Sequence, residues 1–549
     1  MGLSEEEGKV SRAEGNTGDL ILTAVIPMPS WRARAGWLLR AHRQCHDDAV
    51  LRGLRGFARA LTAVHVDASP SSVSRWETGR TAMDRGVVRG YENVLGLPSH
   101  HLLSVIDVMA RYDGGRSAVA FLRPAQPTST GDRAIGRRLD ALLDRVLDGD
   151  VLAGGDWDDL TALVTGPGVV VGPGRVRQSV AGRLLEEMLV SDGVAWRRRY
   201  EAVGRLMADE MWATDAVEAC ETVLACPEHA GLIEIVSMLE ASAHPQATRQ
   251  VLRQLTDPIA SETFYGALLA SHRKNRRRHF SGRQSAVVAE VVSGVLRTSS
   301  GRLEGEAAAV LLHQLQLPSA RAGRLAEMAC ERPVTRNIVR HGRLVEPHAA
   351  EVVLARMSAR VSDGPRPAPD ATLRGIIDDV LHHPVADVRL YTAMLLDASP
   401  YGSTVAEALC EELRVPGMVQ VTERAVPALY ALRVLGGPDQ RPTVERLTLA
   451  RGLPPEVEQA AVHALGHIGG RSPGGYWQAA LRRLEERWRE RPGPTVRTAL
   501  KRFVYNAAMS GELDLLRHLA HTHAQSEPLR RLSGWWVELA RAVRESACV

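Results

Sequence analysis

Leu61-Thr-Ala-Val-His-Val-Asp-Ala-Ser-Pro-Ser-Ser-Val-Ser-Arg-Trp-Glu-Thr-Gly-Arg80 says more about structure than any other twenty residues of this chain. The pattern places the end of a helix at about Val66 and puts Asp67 in a tight turn, since Asp tolerates left-handed backbone better than most residues. Ser69 reads as an N-cap. Pro70 takes the first helical position, where its missing N–H costs nothing. Val73 and Trp76, three apart, share a face and pack inward, while Ser71, Ser72 and Arg75 point the other way. Gly79 stops the helix. The spacing predicts a short helix over 70–78 whose free face offers small polar side chains and an arginine, a shape that enters a DNA major groove.

The charge distribution agrees. The whole chain carries a formal net charge of +4, yet Trp31 to Arg116 holds 13 Arg against 8 acidic residues, a net of +5. The remainder is close to neutral, so a basic module precedes a near-neutral body. Arg75, Arg80, Arg85 and Arg89 could be an ordinary solvated face. With the cap, turn, tryptophan and glycine all in register, a phosphate-gripping surface is the better reading. Trp76 reads as core rather than as a base-stacking platform.

The residues Ser69 to Arg80 resemble the lambda-repressor-like helix-turn-helix domain of xenobiotic-response-element regulators. Leu39-Arg-Ala-His-Arg43 looks like that family's first helix and Tyr91-Glu-Asn-Val-Leu-Gly-Leu-Pro98 like its fourth, and His100 to Ile106 would close the bundle. The resemblance implies DNA contacts from Ser69, Ser71, Ser72, Ser74 and Arg75, with Arg80 and Thr81 on the DNA backbone. It gives structural roles to Val73, Trp76 and Gly79, and to Glu77 as the partner of Arg43. Family members usually read two half-sites as symmetric dimers, so double-stranded DNA and a second copy are the expected partners. Gln44 to Gly56 is longer than the family pattern, which implies either an extended first helix or an extra turn.

At 549 residues, 45% hydrophobic and 4% aromatic, the chain has material for several helical units. Its three lysines (Lys9, Lys274, Lys501) among 68 basic residues fit GC-rich codon usage. We divide it into an arm over 1–28, which could hold one strand, a helix-turn-helix domain over 29–123, a linker over 124–133, helical repeats over 134–362, a Pro-rich break over 363–370 and further repeats over 371–549. Val169 to Val171, between Gly-Pro-Gly turns, reads as a loop with room for one short strand. Val388–Leu396, Ala425–Gly437, Val457–Gly470 and Val496–Val504 look like copies of one unit and resemble HEAT-like repeats. Leu232–Glu240 and Ala247–Leu255 read as a more degenerate pair. The expected fold class is all-α, an N-terminal five-helix bundle followed by an α-solenoid of HEAT-like hairpins, since one such hairpin cannot bury its own apolar face.

No motif points to catalysis, a cofactor or a metal. The six cysteines form no CxxC pair, the histidines at 100–101, 382–383, 521 and 523 lack HExxH spacing, and no phosphate-cradling or nucleophile-elbow motif occurs. Asp156-Trp157-Asp158 is the one carboxylate–aromatic cluster that base chemistry could use, and it is disfavoured. The basic run His272 to His279 is read as an exposed turn rather than a phosphate-gripping loop, because no aromatic residue is interleaved. The first residues are acidic and the longest early apolar stretch, Leu20 to Met28, is too short for a membrane span. The expectation is thus a bacterial, cytoplasmic, nucleoid-associated regulator of transcription, not an enzyme. Its helical body would serve dimerisation or bind a protein or small-molecule effector. The alternative is an interaction scaffold whose helical repeats are the functional surface.

Overall fold

The computed structural model describes residues 26–122, 132–225, 231–298, 301–362, 370–522, 527–539 and 541–547. Among them are 31 α-helices, two short 3₁₀ turns and no strand, so the chain is all-α. Most of the N-terminal arm, of the 124–133 linker and of the 363–370 break lies outside the described residues. Positions 132 and 133 already belong to the helix Asp132–Leu147, and Asp370 caps the helix Ala371–His382 by accepting from the Leu373 N–H at 2.7 Å. Val169 to Val171 form a loop without the strand considered for them, with Val171 buried and Val170 exposed.

The N-terminal module comprises α1 (Trp31–Gln44), α2 (Ala49–Arg52), α3 (Leu54–Ala63), α4 (Pro70–Glu77), α5 (Arg85–Val94) and α6 (His101–Asp113), with α7 (Arg116–Leu122) behind it. That is one helix more than the five expected up to Asp113. The added one is α2, which resolves the long Gln44–Gly56 segment as an extra turn. Asp48 starts it by accepting from the Val50 N–H at 2.7 Å, and the Arg43 guanidinium donates to the Arg52 carbonyl at its end.

Two helices of the module are buried on every side. In α6, Leu102, Leu103, Val105, Ile106, Met109 and Ala110 are at most 2% exposed, and Ser104 and Asp107 are fully buried as well. A helix covered all round lies between two packed bodies. One side of α6 faces α1 and α5; the other faces the helices Gly193–Ala208 and Ala386–Asp397 of the body. The α1 helix is similar, with Trp37 stacked on Tyr401 at 6.2 Å between ring centroids.

In the body, many helices pack against both the next helix and the next but one. The four repeated segments fall on Ala386–Asp397, Thr422–Leu435, Pro455–Leu465 and Pro494–Met509, and each packs against the next. The glycine pairs meet between neighbours: the Gly469 N–H donates to the Gly436 carbonyl at 3.2 Å. The body also closes on itself. The helix Arg541–Ala547 packs against Gly174–Leu189, the Leu152 N–H donates to Ser546 Oγ at 2.9 Å, and His467 Nδ1 lies 3.0 Å from Asp192 Oδ2.

Candidate nucleic-acid interface

The α4 helix is specified almost entirely by its own neighbours in sequence. Ser69 Oγ accepts from the Ser72 N–H at 3.1 Å, and Ser72 Oγ accepts from the Ser69 N–H at 3.2 Å, a reciprocal capping box with Pro70 at the first helical position. At the other end the Gly79 N–H donates to the Trp76 carbonyl and the Arg80 N–H to the Arg75 carbonyl, both at 3.0 Å. These two bonds form a Schellman stop, and they require the left-handed φ of +68° that Gly79 adopts. The left-handed residue before the helix is His65 at φ +64°, not Asp67, because α3 ends at Ala63 rather than at Val66 and the chain reverses two residues sooner.

The inner face of α4 is locked. Val73, Trp76 and Glu77 are buried. Arg43 donates from Nε and Nη2 to the two Glu77 carboxylate oxygens, each at 2.6 Å, and the Tyr91 hydroxyl donates to the same carboxylate at 3.2 Å. Burial and the adjacent Glu77 push the Tyr91 phenol far above its ordinary range, so it remains a donor. The α1 helix crosses α4 at Gly36, where an added Cβ would sit 2.5 Å from the Trp76 carbonyl oxygen. Only glycine allows that approach.

The outer face is open. Ser69, Ser71, Arg75, Thr78, Arg80 and Thr81 are exposed, and Ser72 and Ser74 are half-buried. Ser72, expected to point outward, has its hydroxyl engaged in the cap with Ser69, and Ser71 Oγ also lies 2.9 Å from Ser69 Oγ. Arg55 and Arg59 on α3 and Arg89 on α5 are exposed too. Among the described residues, none of Arg55, Arg59, Arg75, Arg80 and Arg89 has a carboxylate within ion-pair distance. Arg85 departs from the expected solvent-facing set. Its guanidinium turns inward to Asp107 Oδ1 at 2.6 Å and Asp158 Oδ2 at 3.2 Å.

That inward turn belongs to a buried lattice that fastens the module to the body. Arg198 bridges Asp107 and Asp158, and Arg205 donates to Asp158 Oδ1 at 2.8 Å. Burial alone would raise the Asp158 carboxyl; Arg205, Arg198 and Arg85 together hold it well below the usual carboxylate range. Arg111 of α6 makes a two-pronged bond to Glu201. Arg34 of α1 pairs with Asp379, and Arg40 with Asp370 at 2.6 Å. The Asp156-Trp157-Asp158 cluster is thereby accounted for: Trp157 is fully buried with its indole N–H on Glu187 Oε2 at 2.6 Å, and Asp158 is surrounded by arginines. No base could reach it.

The basic run 272–279 corrects a second expectation. Most of it belongs to the end of the helix Ser261–Arg276 and is drawn inward; the turn expected is confined to 277–278, where Arg278 is exposed. His272 and Lys274 are buried, Arg273 makes a bidentate bond to Asp387, and the Lys274 ammonium donates to the Ser242 carbonyl at 2.6 Å. Arg277 donates to the Arg111 carbonyl at 2.6 Å and lies 2.9 Å from Glu240. Distant carboxylates and carbonyls, invisible in the linear sequence, draw these cations inward.

Three of the four paired histidines have ring partners. His101 lies 3.1 Å from the Ala398 carbonyl, His382 lies 2.8 Å from Asp378, and His383 lies 3.0 Å from the Pro27 carbonyl. Burial pushes His383 down to about 4 and His272 down to about 3, so both are neutral at pH 7. Among the described residues no group of three or more His, Cys, Asp or Glu could hold a metal ion, and no helix is long and apolar enough to cross a membrane.

Arg197 to Arg199 escaped the sequence reading although all three are buried. A signal existed. Successive helical residues point about 100° apart, so three consecutive arginines cannot all face water on a packed helix. No protein-family model matches this chain, and no curated protein matches it.

Proposed function

We propose that the chain is a sequence-specific DNA-binding regulator of transcription, which inserts residues 70–78 into the major groove in the manner of lambda-repressor-like helix-turn-helix proteins. The observation that carries this reading is the division of α4 into two faces. One is locked by the Glu77–Arg43 pair; the other leaves Ser71 and Arg75 open to solvent beside Arg80 and Thr81. Arg75 is the base-reading side chain, since a guanidinium spans two acceptors of guanine. Arg80, with Arg55 and Arg59, supplies phosphate contacts, and Thr81 touches the DNA backbone. The body is an α-solenoid of HEAT-like hairpins that carries the module and pairs two copies, so that half-sites recur about one helical turn apart.

Fluorescence anisotropy against fragments of the protein's own promoter region, over a series of salt concentrations, tests this reading. A cognate duplex should bind at least roughly 10³-fold tighter than a scrambled one at physiological salt. If every duplex binds equally weakly and binding vanishes by that salt concentration, the regulator reading fails and the helical body becomes the functional surface of a protein scaffold.

A further inference from the structure

Two adjoining cavities, of about 220 and 450 Å³, lie among the helices of the body, and α6 closes one side of the smaller. They share Trp196, Glu234, Arg433, His463 and Arg502 among their walls, so they form one space of the size that takes small molecules. Its lining is not what the composition supplies by chance. Only 4% of the chain is aromatic, yet five of its nine tyrosines line the smaller cavity alone. Trp196 and Tyr200 are stacked there with ring centroids 4.8 Å apart, and Tyr430 and Tyr391 form further wall.

The charges of the wall are mostly matched. Arg111 holds Glu201, Arg273 holds Asp387, Arg389 holds Glu306 and Arg197 holds Asp397. Two guanidiniums are left over. Arg433 donates to the neutral ring of His463 at 2.6 Å, and among the described residues neither it nor Arg502 has a carboxylate within ion-pair distance. Glu234 is the one acid common to both cavities; Asp192 and Glu262 also line the larger one, Asp192 lying 3.0 Å from His467 and Glu262 3.9 Å from Lys501. Burial, then Arg433, His467 and Arg502, drives His463 far below its ordinary titration range, so its ring is neutral beside Arg433.

We propose that this cavity binds a small molecule with a planar aromatic body and a single acidic group, a carboxylate, sulfonate or phosphate. The aromatic body stacks against Trp196 and the tyrosines, and the acidic group is held between Arg433 and Arg502 through charge-assisted hydrogen bonds. Because Val108, Arg111 and Tyr112 of α6 also line the cavity, a bound molecule touches the N-terminal module and the body at once. Occupancy is then coupled to how the module is held. The ligand site stands independently of DNA binding; only its effect on DNA rests on the function proposed above.

The test uses the full chain with 1-anilinonaphthalene-8-sulfonate, and with N-phenyl-1-naphthylamine as the same ring system lacking the anion. The sulfonate should saturate a single site. Arg502→Gln should weaken it tenfold or more while changing the affinity of the neutral amine less than twofold, with an unchanged melting temperature. Arg433→Gln should act likewise, and if that variant fails to fold, Arg502→Gln decides alone. Unsaturable binding, equal binding of both probes, or undiminished sulfonate affinity in Arg502→Gln overturns the site. With the sulfonate bound, the midpoint for cognate DNA should shift in the unaltered protein and not in Arg502→Gln. An unmoved midpoint overturns the coupling alone, whereas absence of any cognate DNA binding overturns the regulator reading and leaves the ligand site standing.

Discussion

The two faces of the N-terminal module use the same residue type in opposite ways. On the outer face, Arg55, Arg59, Arg75, Arg80 and Arg89 stand in water with no carboxylate in reach among the described residues. On the inner face, Arg34, Arg85 and Arg111 each meet an acid, mostly from more than seventy positions away in sequence, and Arg198 answers from the body by pairing with Asp107. A buried guanidinium must be paired because its desolvation is so costly, whereas an exposed one is free to serve an external anion. The difference teaches that arginine content by itself does not mark a binding surface.

The inner face should be the more fragile of the two. Asp158→Ala takes from Arg205 its closest acid and leaves Arg85 and Arg198 to share Asp107 alone, and it should cost about 3–5 kcal/mol in chemical denaturation. A loss below about 1 kcal/mol would break the contrast, since the lattice would then be ornamental. On the outer face, Arg75→Ala should weaken cognate DNA by about 1–3 kcal/mol and relax discrimination at one base position. Its unfolding midpoint should stay within about 0.5 kcal/mol of the parent, because an exposed, unpaired side chain supports nothing in the fold.

Acid sharpens the comparison without any mutation. His272 and His383 have folded pKa values pushed by burial to about 3 and about 4, below their unfolded value of about 6.5. They therefore contribute stability that is fully present above pH 6.5 and is lost as pH falls toward 4. Asp379, raised by burial to about 6, acts in the opposite sense: stability from it is present at low pH and is lost as pH rises through 6. The two histidines outweigh it, and His100 and His463, also held down by burial, act with them, so stability should fall by at least about 2 kcal/mol between pH 7 and pH 5. Thermal melts across that range that stay level would show that these docking histidines are not held neutral. The smallest effect belongs to the local cap. Ser69→Ala removes the acceptor for the Ser72 N–H and should cost about 1 kcal/mol, read as a lower denaturation midpoint.

Much of α4 was legible because its determinants are contiguous. Ser69, Pro70, Val73, Trp76 and Gly79 occupy the positions that cap, start, face and stop a helix, and no distant group is needed for any of them. The errors have a common cause. Asp67 is not the left-handed residue of the turn, because the end of α3, three residues earlier than the pattern places it, decides the backbone there and side-chain preference does not. The run 272–279 and Arg85 were placed in water because their partners Asp387, Glu240, Asp107 and Asp158 lie far off in the chain.

Sequence alone therefore determined that this protein is helical and where α4 begins and ends. Hydrogen bonds closed within a few residues and apolar periodicity carry that information. Only the tertiary structure decided which arginines are open and which are clamped, that α1 and α6 are enclosed between module and body, and that tyrosines from separate helices meet two unmatched guanidiniums in one cavity. The physical reason is that a charge's surroundings are set by every element packed against it, and packing brings together residues whose separation in the chain carries no trace of their contact.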